Sequence, residues 1–69
     1  MAYSDAIFRE KLAKLNCTAQ SIEMTSSWCC YAAPEARRIA AAWEDAFTKA
    51  DQAKRLAMVY LANDIIQNR

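Results

Sequence analysis

Glycine and histidine are both missing from this chain of 69 residues, and Pro34 is its one proline. Without glycine there is no glycine-rich turn to cradle a phosphate, which removes the common nucleotide-binding loops. Without histidine the usual general base is gone, and a zinc site would lack both ligand number and spacing. Charge of one sign is missing too: nine basic residues against eight acidic give a net +1 in a mixed pattern. That is no electrostatic footprint for sequence-specific nucleic-acid binding or for an anionic membrane surface. No apolar run approaches the roughly 20 residues needed to span a bilayer.

Three cysteines are present, Cys17, Cys29 and Cys30, an odd number with no cleavable secretory start. This pattern points to a reducing compartment. Adjacent Cys29 and Cys30 on a helix diverge by about 100°, which suits neither a chelate nor an easy disulfide. A nucleophilic cysteine needs a basic neighbour, whereas these two sit between Trp28 and Tyr31. The expectation is a protein that is not an enzyme and carries no cofactor or metal.

What remains is apolar and helical. Hydrophobic residues make up 55% of the chain and charged ones 25%, a globular composition. A domain this small buries only about 60% of the surface its unfolded chain exposes, so its core is marginal. Few turn formers and many alanines predict an all-α chain with short connections.

Four helices follow from caps and periodicity. The first spans about 4–15, with Ser4 as N-cap, Asp5 in the first turn and Phe8, Leu12 and Leu15 as its stripe. Asn16 suits a C-terminal cap. The second, about 18–32, is capped by Thr18 and has Ile22, Thr25, Trp28 and Cys29 on its inner edge; its middle, "EMTSSW", is weak on propensity and must be held by packing. The third spans about 34–49, with Pro34 at a tolerated first position and Ile39, Trp43 and Phe47 in register. Its "IAAAW" is small enough to let another helix approach closely. Asp51 caps the fourth, about 52–68. The basic pairs Arg37-Arg38 and Lys54-Arg55 read as solvated helix faces.

The fourth helix separates by angle. With Leu56 at 0° and about 100° per residue, Met58, Val59, Leu61, Ala62, Ile65 and Ile66 occupy one arc. Opposite lie Asn63, Gln67, Tyr60, Asp64 and Asn68, with Tyr60, Asp64 and Asn68 stacked at i, i+4, i+8. An ordinary solvated face would hold Lys, Glu and Arg; this one holds a phenol, amides and a single carboxylate. Two readings stand from periodicity alone: a surface that orients a polar ligand, or an internal polar network in which Asp64 bridges to a neighbouring helix.

The stretch "RLAMVYLANDIIQNR" closely resembles the fourth helix of the domain that binds the C-terminal repeat tail of RNA polymerase II in transcription termination and pre-mRNA 3′-end processing factors. "FREKLAKLN", "AQSIEMTSSWCC" and the helix bearing "IAAAW" agree in order, so the resemblance runs from about Phe8 to Arg69 and is most similar to the branch of regulators of nuclear pre-mRNA. It implies a nuclear protein and a right-handed superhelical (VHS/ENTH-like) domain of eight helices, of which residues 1–69 match the N-terminal half. It also implies a partner, the Tyr-Ser-Pro-Thr-Ser-Pro-Ser heptad in its phosphorylated form, held as a β-turn in a groove.

Carried over by position, Asp64 matches the aspartate that accepts from the heptad tyrosine hydroxyl. Tyr60 and Ile22 match residues packing on its prolines and ring, and Asn68 an amide bonding its backbone. Asn63 and Gln67 share that polar arc, and Thr18 and Ser21 stand at the groove end of the second helix. The family often carries more polar residues than Cys17 and Ala19 there. Its phosphate-reading arginines come later, towards the seventh helix, with no counterpart here. Four helices alone should leave an apolar face exposed on the third and fourth, a surface for self-association. The competing readings are a VHS/ENTH-like adaptor and a homo-oligomeric helical module.

Overall fold

The structure, a computed structural model, describes residues 3–67. Four α-helices account for most of it: α1 (Asp5–Lys14), α2 (Ala19–Tyr31), α3 (Ala36–Lys49) and α4 (Gln52–Gln67), with a 3₁₀ turn over Ala33–Glu35 before α3. The helix starts follow the side chains that satisfy their first N–H groups. Ser4 accepts from the Ile7 N–H at 3.4 Å, Thr18 from Ser21 at 3.2 Å and Asp51 from Lys54 at 2.8 Å.

Packing is alternate: α2 lies along α4 and α1 along α3, with a lighter α3–α4 contact. The core is built where these pairs meet, from Phe8, Leu12 and Leu15 of the α1 region, Ile22 and Cys29 of α2, Ala42 of α3 and Ala57, Met58 and Leu61 of α4. The predicted α1 stripe is therefore the buried one. Ala42 is the one buried residue of α3, consistent with close approach at "IAAAW".

Several local expectations are corrected. Asn16 does not cap α1; Leu15 takes that place in extended conformation. Asn16 instead organises the start of α2: its side-chain oxygen accepts from the Thr18 N–H at 3.0 Å and the Thr18 hydroxyl at 2.6 Å. Pro34 sits in the 3₁₀ turn and not in α3, which begins at Ala36. Trp28 is only half-buried, its ring stacked on Phe8 with centroids 5.7 Å apart, while Ser26 takes a buried place on the inner edge of α2.

Lys54 and Arg55 are not a solvated face. The Lys54 ammonium donates to the carbonyls of Leu12 (3.0 Å), Ala13 (2.8 Å) and Leu15 (2.7 Å), the terminal carbonyls of α1. Arg55 donates to Phe47 and Thr48 at 3.0 and 3.1 Å, near the end of α3, with its guanidinium over the Phe47 ring. The first turn of α4 thus supplies cations to two helix C-termini, where the partial negative charge of the carbonyls favours them.

The apolar arc of α4 is wider than its neighbours cover. Ala57, Met58 and Leu61 are buried, whereas Val59 is 48% and Ile66 72% exposed. At about 100° per residue the buried set centres near 150°, so the inner part of the arc is spent on the core and the outer part stays open. Ala62, Ile65 and Ile66 of the arc, with Ile39 and Trp43 of α3, line an apolar groove of about 420 Å³. This is the exposed face expected on the third and fourth helices.

Candidate peptide-binding site

Alongside α4, the polar residues of α2 recur at positions 23, 26, 27, 30 and 31, a helical i, i+3, i+4, i+7, i+8 stripe. Glu23, Ser26, Ser27, Cys30 and Tyr31 line an open cleft of about 640 Å³, and Asp64 closes it from α4. Asp64 is half-buried there because its position on α4, near 80°, adjoins the buried Ala57 near 100°. Among the described residues, the charged groups of the lining are the carboxylates of Glu23 and Asp64, with no lysine or arginine. Chemically the cleft presents acceptors and hydroxyls, so it suits a donor and not an anion.

The other residues singled out by sequence fall around it. Tyr60 is about half exposed on α4, and Asn63 and Gln67 are exposed beside it. Ile22 is a core residue at 8% exposure, so little of its side chain reaches the surface. Thr18 and Ser21 are both engaged at the start of α2, where the Ser21 hydroxyl accepts from the Asn16 N–H at 3.2 Å. Asn68 lies outside the described residues. Of the seven candidates among the described residues, Asp64 alone lines the cleft.

Sequence reasoning missed the α2 side of the cleft. The available signal was the "EMTSSW" stretch itself: a poor helix former whose small polar residues repeat at helical spacing. The cysteines differ within this region. Cys30 is exposed at the cleft, whereas Cys29 is buried and its thiol is pushed up to about 11, chiefly by that burial. Among the described residues no grouping of three or more His, Cys, Asp or Glu side chains is placed to hold a metal ion. No described helix is long and apolar enough to cross a membrane.

Comparison with known proteins follows the same residues. The family model described as the CID domain matches residues 6–69. Regulation of nuclear pre-mRNA domain-containing protein 1A of Homo sapiens is 37% identical over 67 residues, covering 97% of this chain. The protein of that name in Gallus gallus is 36% identical over the same 97% of the chain. Protein 1B of Homo sapiens is 33% identical, again over 97%. The chain spans 22%, 25% and 21% of these three relatives respectively, about a quarter of their length or less.

Proposed function

The chain belongs to the CID domain family, and on that footing we propose that it is a recognition module for the heptad-repeat tail of RNA polymerase II. In this reading residues 1–69 form the N-terminal half of the domain and act in the nucleus, in transcription termination or pre-mRNA 3′-end processing. The relatives' names, which speak of regulation of nuclear pre-mRNA, support that setting.

The observation that carries the reading is the place of Asp64. Its carboxylate stands half-buried at the edge of a cleft rich in acceptors, where water competes less for a ligand's hydrogen bond. A tyrosine hydroxyl is a donor of the right kind, and an ionised carboxylate accepts from it more strongly than a neutral oxygen does. The exposed part of the Tyr60 ring, one turn earlier, offers apolar surface to the peptide's proline and tyrosine rings. Asn63 and Gln67 offer amides to its backbone. The phosphorylated heptad gains little from this cleft, because no described residue of its lining is a cation that could receive a phosphate.

Fluorescence anisotropy with a labelled two-heptad peptide tests the reading. Asp64→Ala removes one hydrogen bond to a charged acceptor and should weaken binding roughly ten- to a hundredfold. Asp64→Asn keeps the volume and weakens the acceptor, so it should show most of the same loss. Unchanged affinity in both variants would remove the central role of Asp64, and a strong preference for a serine-phosphorylated heptad would contradict the proposed electrostatics.

The apolar groove between α3 and α4 supports a second property, self-association through that face. Light scattering after size exclusion should show mass rising with concentration. A monodisperse monomer across the micromolar range would exclude it.

A further inference from the structure

α2 forms one wall of the cleft, and its own sequence does little to hold that wall. The "EMTSSW" stretch is a poor helix former, yet it carries Glu23, Ser26 and Ser27 of the lining. Packing must fix it. Ile22, Thr25, Ser26 and Cys29 anchor one flank of the helix in the core. Trp28 anchors another: at about 100° per residue it lies about 130° round α2 from the middle of the cleft stripe.

The Trp28 ring is clasped from outside α2. It stacks on Phe8 of α1, with centroids 5.7 Å apart and planes at 4°. Tyr3, from the segment before α1, meets both rings, 5.8 Å from Trp28 and 6.5 Å from Phe8. The Lys11 ammonium stands 5.7 Å from the centre of the Trp28 ring. Tyr3 is itself tied down twice. Its hydroxyl donates to the Asp5 carboxylate, and the Arg38 guanidinium of α3 lies over its ring, 5.2 Å from the centroid. Burial and then the Asp5 bond push that phenol up to about 12, so it stays a neutral donor at physiological pH. One ring thereby joins the N-terminal segment to α1, α2 and α3.

Two anchored flanks stop α2 turning about its own axis. With side-chain tips about 5–6 Å from the axis, a turn of about 20° moves each by about 2 Å. A binding constellation tolerates roughly half an ångström, and a hydrogen bond stretched by about 2 Å is lost. How Glu23, Ser27 and Cys30 face a ligand therefore depends on what holds Trp28 behind them.

We infer that Tyr3 is a positioning residue for the α2–α4 cleft, acting on a bound peptide through Trp28 without touching it. The inference rests on the peptide-binding reading of that cleft.

Tyr3→Ala tests it through two measurements. Anisotropy with the plain two-heptad peptide should show a roughly three- to tenfold loss of affinity, about the net contribution of one hydrogen bond. Amide hydrogen exchange in the free chain should quicken at residues 26–31 of α2 while residues 57–61 of α4 keep their protection. A residue that merely adds stability would lower both sets together. Tyr3→Phe, which keeps a ring on Trp28, should restore most of the affinity and the α2 protection. Should far-UV circular dichroism show Tyr3→Ala unfolded, Tyr3→Leu takes its place: leucine covers Trp28 without a flat ring and should give the same pattern. Unchanged affinity, or exchange that quickens equally in α2 and α4, overturns the positioning role.

The two levels separate cleanly. Asp64-dependent binding that survives the loss of the Tyr3 ring defeats the positioning role alone. Binding that falls with Tyr3→Ala but not with Asp64→Ala defeats the role of Asp64 alone. Failure of the parent chain to bind the peptide defeats both.

Discussion

Replacing Lys54 by methionine isolates the ammonium that holds the end of α1. Methionine keeps most of the aliphatic stem, so the packing contribution of that stem is largely retained. What is lost is one cation donating to three carbonyls, at 2.7 to 3.0 Å. A hydrogen bond to a charged group contributes about 1.5–3 kcal/mol, but three bonds sharing one charge do not add. Water can replace the donor at Ala13, whose bond is exposed, more easily than at Leu12 and Leu15, whose bonds are partly buried. The expected loss is therefore about 2–3 kcal/mol. For a domain of this size that corresponds to a fall in Tm of roughly 10–20 °C.

Urea unfolding followed by tryptophan fluorescence and far-UV circular dichroism measures the loss directly. Lys14→Met is the control: it removes an exposed i,i+4 pair with Glu10 and should change stability by only a few tenths of a kcal/mol. If Lys54→Met loses no more than Lys14→Met, the clamp is a surface contact and the reasoning fails.

Two further outcomes follow from the charge and thiol environments. Hydrogen bonds from Arg9 and then Lys49 hold the Asp45 carboxyl below the usual carboxylate range. A depressed folded value means that its stabilisation is present above the ordinary carboxylate pKa of about 3.9 and is lost as pH falls through the lowered value. Asp45→Asn should accordingly lose that stabilisation at neutral pH and flatten the acid limb of a stability-versus-pH curve, so that variant and parent converge in acid; an unaltered limb would contradict the assignment. Alkylation with iodoacetamide near pH 8 should add two groups quickly, at exposed Cys17 and Cys30, and a third only on unfolding, because Cys29 is buried and its thiol raised to about 11. Three adducts at equal rate in the folded protein would show that α2 opens more readily than its packing implies.

Much of the helical framework was legible from one-dimensional signals because it depends on neighbours in sequence. The caps at Ser4, Thr18 and Asp51 act within three residues of themselves, and the Phe8-Leu12-Leu15 stripe needs only helical periodicity to declare itself. Lys54 and Arg55 were misread for the opposite reason. Their partners lie between seven and 42 positions away in the chain, and nothing in a basic pair says whether a helix terminus will arrive beside it. Asn16 shows the same limit at short range: cap chemistry was recognisable, but the helix it serves depends on how the backbone turns.

The candidate site divides along the same line. Composition and periodicity alone established an all-α chain without the residues for histidine or zinc chemistry, and a fourth helix with an apolar arc and a phenol-amide-carboxylate arc. Those properties follow from residue type and a fixed angle per residue. Which neighbour each arc meets was decided only by the alternate packing of α2 on α4 and α1 on α3. That packing placed Asp64 at a cleft, set the serine stripe of α2 opposite it, decided for Ile22 between the inner edge that periodicity gave and the groove that the resemblance implied, and left Ile65 and Ile66 lining an open face. Burial and juxtaposition are properties of two helices together, so no single helix could have announced them.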